Sequence, residues 1–356
     1  MKKEKVYLTL QNGRVFEGYR FGAKVDAVGE LVFTTGMVGY LETLTEPAYL
    51  GQIVVQTFPL IGNYGFIRKD LESKKAWVSA YVVREICEEP SNFRMEGKLD
   101  DFLKEEGIVG IYGVDTRELT KILRDEGTMN ACISSKPLKE TIVLDNYAIT
   151  DAVEKVTCDK VETFGDENAK LIVALWDFGA KQSTVNQLLG YGVKVLKIPA
   201  SYTAEQIFAL SPDGVMLSDG PGNPAENTSI VNEVEKMIGK IPVFGVGLGH
   251  QLLALAFGAE TAKMKYGHRG GQPVKYLESG RVYISSQNHG YEVVTSSVKV
   301  GSVNFVNAND GSCEGIDYKD YKAFSVQFNP ESCSAACEAN ILYEKFLKNM
   351  EDKRNA

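Results

Sequence analysis

Histidine is scarce in this chain. There are three in 356 residues, His250, His268 and His289, so a site that moves protons through imidazole has few candidates. The six cysteines, Cys87, Cys132, Cys158, Cys313, Cys333 and Cys337, include no CxxC pair. That excludes the common zinc spacings and reads as reduced thiols in a cytoplasmic protein. Cys333 and Cys337 are the one close pair, and the spacing reads as coincidence. No apolar run approaches the length of a membrane span. The opening MKKEKVYLTLQNG holds too few apolar residues before its turn for a signal segment. No Lys/Arg stripe is present, and the net charge of -8 argues against nucleic acid or an anionic membrane as partner. These absences leave small molecules and other proteins, with no metal expected. What is present, 44% hydrophobic and 24% charged residues, is enough for two domains with their own cores.

The first third of the chain is β-rich. Val6 to Leu10 and Arg14 to Phe21 flank Asn12-Gly13, a strong hairpin signal, and Glu30 to Thr35 and Gln52 to Phe58 read as further strands. Leu99 to Glu106 reads as a short helix, and Asp115-Thr-Arg-Glu118 opens another that stops before Gly127. The expectation is an α+β domain over residues 1–150, a polar, acidic connection over 151–168, and a second domain over 169–356. From Leu171 strands and helices alternate, and this rhythm predicts an α/β open sheet. Ligands gather at the carboxyl ends of parallel strands, so Ser218-Asp-Gly-Pro-Gly-Asn-Pro224 and the turn after Val246 should face one cleft. The tail adds a strand from Val282 to Ser286, an Asn-His-Gly turn at 288–290, a strand from Ala323 to Phe328 and a closing helix from Ile341 to Met350.

The organising stretch is Ile241 to Gly258, IPVFGVGLGHQLLALAFG. An apolar strand passes through Gly245, Gly247 and Gly249 into a helix that ends at Gly258. Such a turn is where α/β hydrolytic folds raise a nucleophile beside an oxyanion hole. Here its central residue is Gly247, which has no side chain to attack with. The glycine spacing also lacks the third glycine of a dinucleotide fingerprint, so a Rossmann reading is poor.

The motifs together carry a resemblance. GELVFTTGMVGYLETLTEPAY, FPLIGNYG and GIYGVDTRELTKILRDEGTM in the first half are similar to the first domain of the small subunit of carbamoyl-phosphate synthetase. WDFGAK, PDGVMLSDGPGNP, FGVGLGHQLLALAFG, KYGHRGGQPV, SSQNHGYEV, NDGSCEGI and SVQFNPE resemble its class I glutamine amidotransferase domain, which is flavodoxin-like. The match runs nearly the full length in order. It implies a hetero-oligomer with a large synthetase subunit that uses ATP, in arginine and pyrimidine biosynthesis, and no cofactor bound by this chain.

The resemblance also implies a cysteine at the elbow, a histidine before Pro-Glu and a glutamate that orients it. Here these positions hold Gly247, Asn329 and Glu331. The serine that contacts glutamine falls on Ala48. Losing a nucleophile or its base typically costs about a millionfold in turnover, leaving about 10³ to 10⁴ over water. The chain is therefore expected not to hydrolyse glutamine and to act as partner or regulator of an ammonia-using large subunit. Gly220, Gly222, Leu248, Gln251, Asn288, Gly290 and Tyr291 match positions that hold glutamine or its oxyanion, so a shaped pocket with weak residual affinity for glutamine is expected. His250, His268 and His289 match ordinary positions of the family and read as structural. Asp219 and Asn223 exchange the more usual Asn and Asp of their loop. Two other readings stand beside this one. One is a pseudoenzyme that senses glutamine or serves as a scaffold outside the synthetase; the other is an amidase with an unconventional nucleophile, of which Cys333 is the nameable form.

Overall fold

The computed structural model describes residues 4–332 and 340–355, which places Cys333 and Cys337 outside the described residues. The chain divides into two compact units, Met1–Thr150 and Asp151–Ala356.

In the first unit the hairpin forms as its turn residues dictate. Gly13 takes φ +85°, a value glycine reaches without a Cβ penalty, and Leu8 pairs with Phe16 across the turn. The sheet closes on itself in the order Lys5–Leu10, Val15–Gly22, Val109–Tyr112, Ala80–Val83, Gln52–Gln56, Ala27–Thr34, Met129–Ser134. The strands expected near the amino terminus are four of these. The closure was not legible, because Ala80–Val83 and Val109–Tyr112 are too short to announce themselves and pair in parallel with partners distant in sequence. Gln52–Gln56 is buried on both faces. Ile53 and Val55 join one cluster with Val6, Leu8, Val82 and Ile111, while Val54 packs on the other side with Phe21, Tyr81 and Phe102. The Thr116–Glu126 helix starts as expected, its Asp115 side chain accepting from the Arg117 and Glu118 amides, and gives way to Gly127.

The second unit is built on a ten-stranded sheet. Its centre is parallel, in the order Lys194–Pro199, Ile172–Asp177, Gly214–Leu217, Val243–Val246, Ala323–Val326. Successive side chains on these strands leave for opposite faces. Ala174, Trp176, Val215 and Leu217 pack with Ile207, Val234 and Leu252 on one side. Val173, Leu175, Met216, Phe244 and Val246 pack with Val185, Leu188, Tyr343 and Phe346 on the other. Such burial on both faces is why the strands read as unbroken apolar runs.

Two expectations needed correction. Residues 151–168, expected as a connection, carry the helix Ala152–Val156 and the strand Glu162–Phe164, which pairs antiparallel with the sheet edge. The Asn-His-Gly segment is no turn. It lies inside the strand Val282–Val293, where His289 pairs with His268 and Asn288 with Arg269 on Thr261–Tyr276. Local turn chemistry is overridden there by a long antiparallel partner that satisfies the backbone. Among the described residues, no helix is long and apolar enough to cross a membrane.

Candidate functional site

Four strand ends build the site. After Asp177, Leu217, Val246 and Val326 the chain leaves the parallel sheet at the same edge, and the departing loops bond to each other. Ser218 Oγ accepts from the Phe178 amide at 2.8 Å, the Gly247 amide donates to Val326 O at 3.0 Å, and the Gly249 amide donates to Ser218 O at 3.0 Å. Gly249 must be small, since a Cβ there would lie 2.3 Å from Leu217 O. The close approach of this helix to the neighbouring strand is what sets the elbow's height above the sheet.

Gly247 precedes the helix Leu248–Ala256 with φ 56° and ψ −114°, a conformation that strains any residue bearing a Cβ. The space beside it is filled. A Cβ built on Gly247 would fall 2.0 Å from Asp219 Oδ1 and 2.2 Å from its Cγ. The same Oδ1 accepts from the Leu248 amide at 3.0 Å and from the Gly220 amide at 2.7 Å. The expected oxyanion amides were those of Leu248 and a glycine of the 220–222 loop; the Leu248 and Gly220 amides converge on one point, and a carboxylate oxygen of the chain sits there.

Asp219 is 7% exposed, and burial pushes its carboxyl up to about 6, against the Leu248 amide and the Lys181 ammonium, which favour the charged form.

The side chain of Glu331 is also buried, 2% exposed. Burial alone would raise its carboxyl, but the Lys181 ammonium at 2.9 Å holds it below the usual carboxylate range, with help from the Thr184 hydroxyl at 3.0 Å. Its second oxygen accepts from the Tyr343 hydroxyl at 3.1 Å. Both oxygens are therefore committed. Neither Lys181, Thr184 nor Tyr343 was singled out from the sequence, because Lys181 and Thr184 open the helix Gln182–Gly190, Tyr343 lies on the helix Asn340–Arg354, and only packing brings them to Glu331.

Asn329 is 2% exposed and its backbone N–H donates to Ser286 O at 3.0 Å, which ties the loop after Val326 to the antiparallel wing. Gln251 uses its side-chain NH2 on Tyr291 O at 2.7 Å and Gln327 Oε1 at 2.8 Å. Asn288 is buried, and neither atom of its side-chain amide has a partner among the described residues. Gly290 lies beside it on the same strand. Gly222 takes φ +92°, with Ala152 closing the space a Cβ would need. Ala48 belongs to the first unit, buried on the short 3-10 turn Pro47–Tyr49.

The histidines are held in place. Burial drives His250 down to about 3, so its ring is neutral where Nδ1 meets Ser325 Oγ at 2.8 Å. His268, His289 and Glu314 bring nitrogen and oxygen atoms within 4.8 Å of one another, a grouping with metal-ligand chemistry. Here those atoms are spent on Asp310, Gln287, Asn307 and each other. The second unit also carries a cavity of about 680 Å³ beside Lys263, Tyr266, Glu292 and Asp310, lined by none of the expected site residues.

Two family patterns match the sequence. Residues 8–133 match the carbamoyl-phosphate synthase small chain, CPSase domain, and residues 174–349 match glutamine amidotransferase class-I. Curated relatives extend over nearly the whole chain. The carbamoyl phosphate synthase small chain of Clostridium perfringens is 44% identical, covering 97% of this chain and 99% of its own. That of Fusobacterium nucleatum is 42% identical, covering 97% and 98%. Among solved structures, a glutamine amidotransferase from Thermotoga maritima aligns at 20% identity and a TM-score of 0.36, covering 51% of this chain and 84% of its own.

Proposed function

We propose that this chain, which belongs to the carbamoyl phosphate synthase small-chain family, is a small subunit that does not itself hydrolyse glutamine. On this reading it assembles in the cytoplasm with a large synthetase subunit, supports or regulates it, and leaves it to use free ammonia with ATP for arginine and pyrimidine precursors. The observation that carries the reading is at the elbow. Gly247 offers no nucleophile, and the carboxylate of Asp219 lies where a side chain at that position would go. Asn329 cannot serve as a base at neutral pH, since a carboxamide does not titrate there. Glu331, the retained carboxylate, is bound by Lys181, Thr184 and Tyr343.

The chemistry agrees with the assignment of roles. Amide hydrolysis at this site would need a thiolate, a proton carrier and an anion hole acting together. The first two are missing by residue type. Gly247 and Asn329 are the lost nucleophile and base, and Gly220, Gly222, Leu248, Gln251, Asn288, Gly290 and Tyr291 remain as the pocket frame. The test is a glutaminase assay on the purified chain, alone and with a large synthetase subunit, beside ammonia-supported carbamoyl phosphate synthesis by the pair. Background hydrolysis and ammonia-dependent synthesis are expected. Turnover of glutamine at the level of an intact amidotransferase would refute the reading, as would failure to form any complex.

A further inference from the structure

The site has lost a nucleophile, yet it is not simply open. Two backbone amides from different elements, Leu248 at the start of a helix and Gly220 in the loop after Leu217, donate to the same oxygen, Asp219 Oδ1. The atoms of the same carboxylate lie 2.0, 2.2 and 2.8 Å from the position a Cβ of residue 247 would take. Ordinary van der Waals contact for such a pair is 3.4 to 4 Å. One side chain therefore fills two places: the point where the amides hold a negative oxygen, and the space needed by a side chain at 247. Its geometry is supported from behind, because Ser218 Oγ donates to Asp219 O at 2.8 Å while accepting from the Phe178 amide.

We propose that Asp219 is a built-in plug, an internal carboxylate that occupies the anion-holding amides and the side-chain space that glycine leaves at position 247, and so keeps the elbow closed. This rests on reading the elbow as a former nucleophile site. Its consequence is that restoring a thiol is not enough. A side chain at 247 has to displace Asp219, and a thiolate placed there would face a carboxylate within its own van der Waals shell. An outside acyl group or carboxylate would likewise have to compete for two amides already satisfied by a tethered acceptor, which binds them intramolecularly.

The test follows an introduced thiol. Gly247→Cys and the pair Gly247→Cys with Asp219→Ala are treated with iodoacetamide, the thiolate displacing iodide, and alkylation at position 247 is followed by peptide mass spectrometry. The expected result is a rate at least tenfold higher with Asp219 removed, or folding of the pair where the single variant fails to fold. Equal rates in two folded proteins overturn the proposal. Hydrogen exchange at the Leu248 and Gly220 amides is measured in the unmodified chain and in Asp219→Ala, so that the question does not depend on either cysteine variant folding. Exchange at least tenfold faster in Asp219→Ala is expected, and unchanged rates at both amides overturn the plug. Glutaminase turnover in the unmodified chain would instead overturn the reading on which the plug rests, so the two failures are distinguishable.

Discussion

Consider adding one methyl group at the elbow, Gly247→Ala. The new Cβ would stand 2.0 Å from Asp219 Oδ1, far inside contact distance, so the carboxylate has to swing away. Two costs follow. The Leu248 and Gly220 amides lose their shared acceptor, at about 1 to 3 kcal/mol each if they stay buried and unpaired. The backbone at φ 56° and ψ −114° adds strain on the order of 1 to 3 kcal/mol for a residue with a Cβ. In an Asp219→Ala background the first cost has already been incurred and the space is free, so only the strain remains. A double-mutant cycle should then show a coupling of about 2 to 6 kcal/mol, well above the few tenths expected of independent sites. Thermal and urea unfolding of the four proteins measure it, with roughly 2 to 4 °C of Tm for each kcal/mol in a domain of this size. If Gly247→Ala costs the same in both backgrounds, within about 0.5 kcal/mol, Asp219 does not fill the space and the geometric reasoning fails.

Other perturbations reach the same region. Asp219 binds its proton more tightly folded than unfolded, about 6 against 3.8, so the stability this group contributes is present below about pH 4 and lost as pH rises to about 6. Asp219→Asn keeps an acceptor oxygen and removes the charge, so it should be more stable than the unmodified chain by up to about 3 kcal/mol above pH 7, with the gain vanishing at low pH; a difference that does not vary with pH would contradict this. Glu331 has the opposite sign, its depressed pKa giving stability above the unfolded value that is lost as pH falls through the folded one. Lys181→Met leaves that carboxylate buried without its cation and should cost about 3 to 5 kcal/mol in denaturant unfolding, most of it recovered on adding Glu331→Gln, whereas a cost under about 1 kcal/mol would place the pair among exposed ion pairs. Phe244 stacks on Phe324 at 4.5 Å and meets the edge of Tyr343 at 5.7 Å; Phe244→Ala should cost about 3 to 5 kcal/mol, and a loss no larger than a surface substitution would show that the strand under the elbow is not held by this cluster.

Local signals were strongest where one residue type has one physical use. Asn12-Gly13, Asp115 before the Thr116–Glu126 helix, the apolar runs of the parallel strands and the glycines around Gly247 were all readable, because turns, caps and two-sided burial restrict the residue at each position. The family was legible for the same reason: many short motifs recur in order along the chain. The sequence also sufficed to show that no thiol stands at 247 and no imidazole at 329.

What it left open depends on partners far apart in the chain. The barrel closes through parallel pairs such as Val82 with Ile111, and 288–290 becomes strand instead of turn because His268 and Arg269 lie opposite. The commitment of Glu331 to Lys181, Thr184 and Tyr343 spans several elements, and no spacing encodes it. Asp219 stood out in sequence as an exchange with Asn223 that had no explanation. Only the folded chain shows what its side chain does, since the loop after Leu217 and the turn after Val246 meet where two amides share an acceptor and glycine leaves room for it. Residue type determined that the elbow has nothing to attack with, and the convergence of two distant loops decided what stands in the empty place.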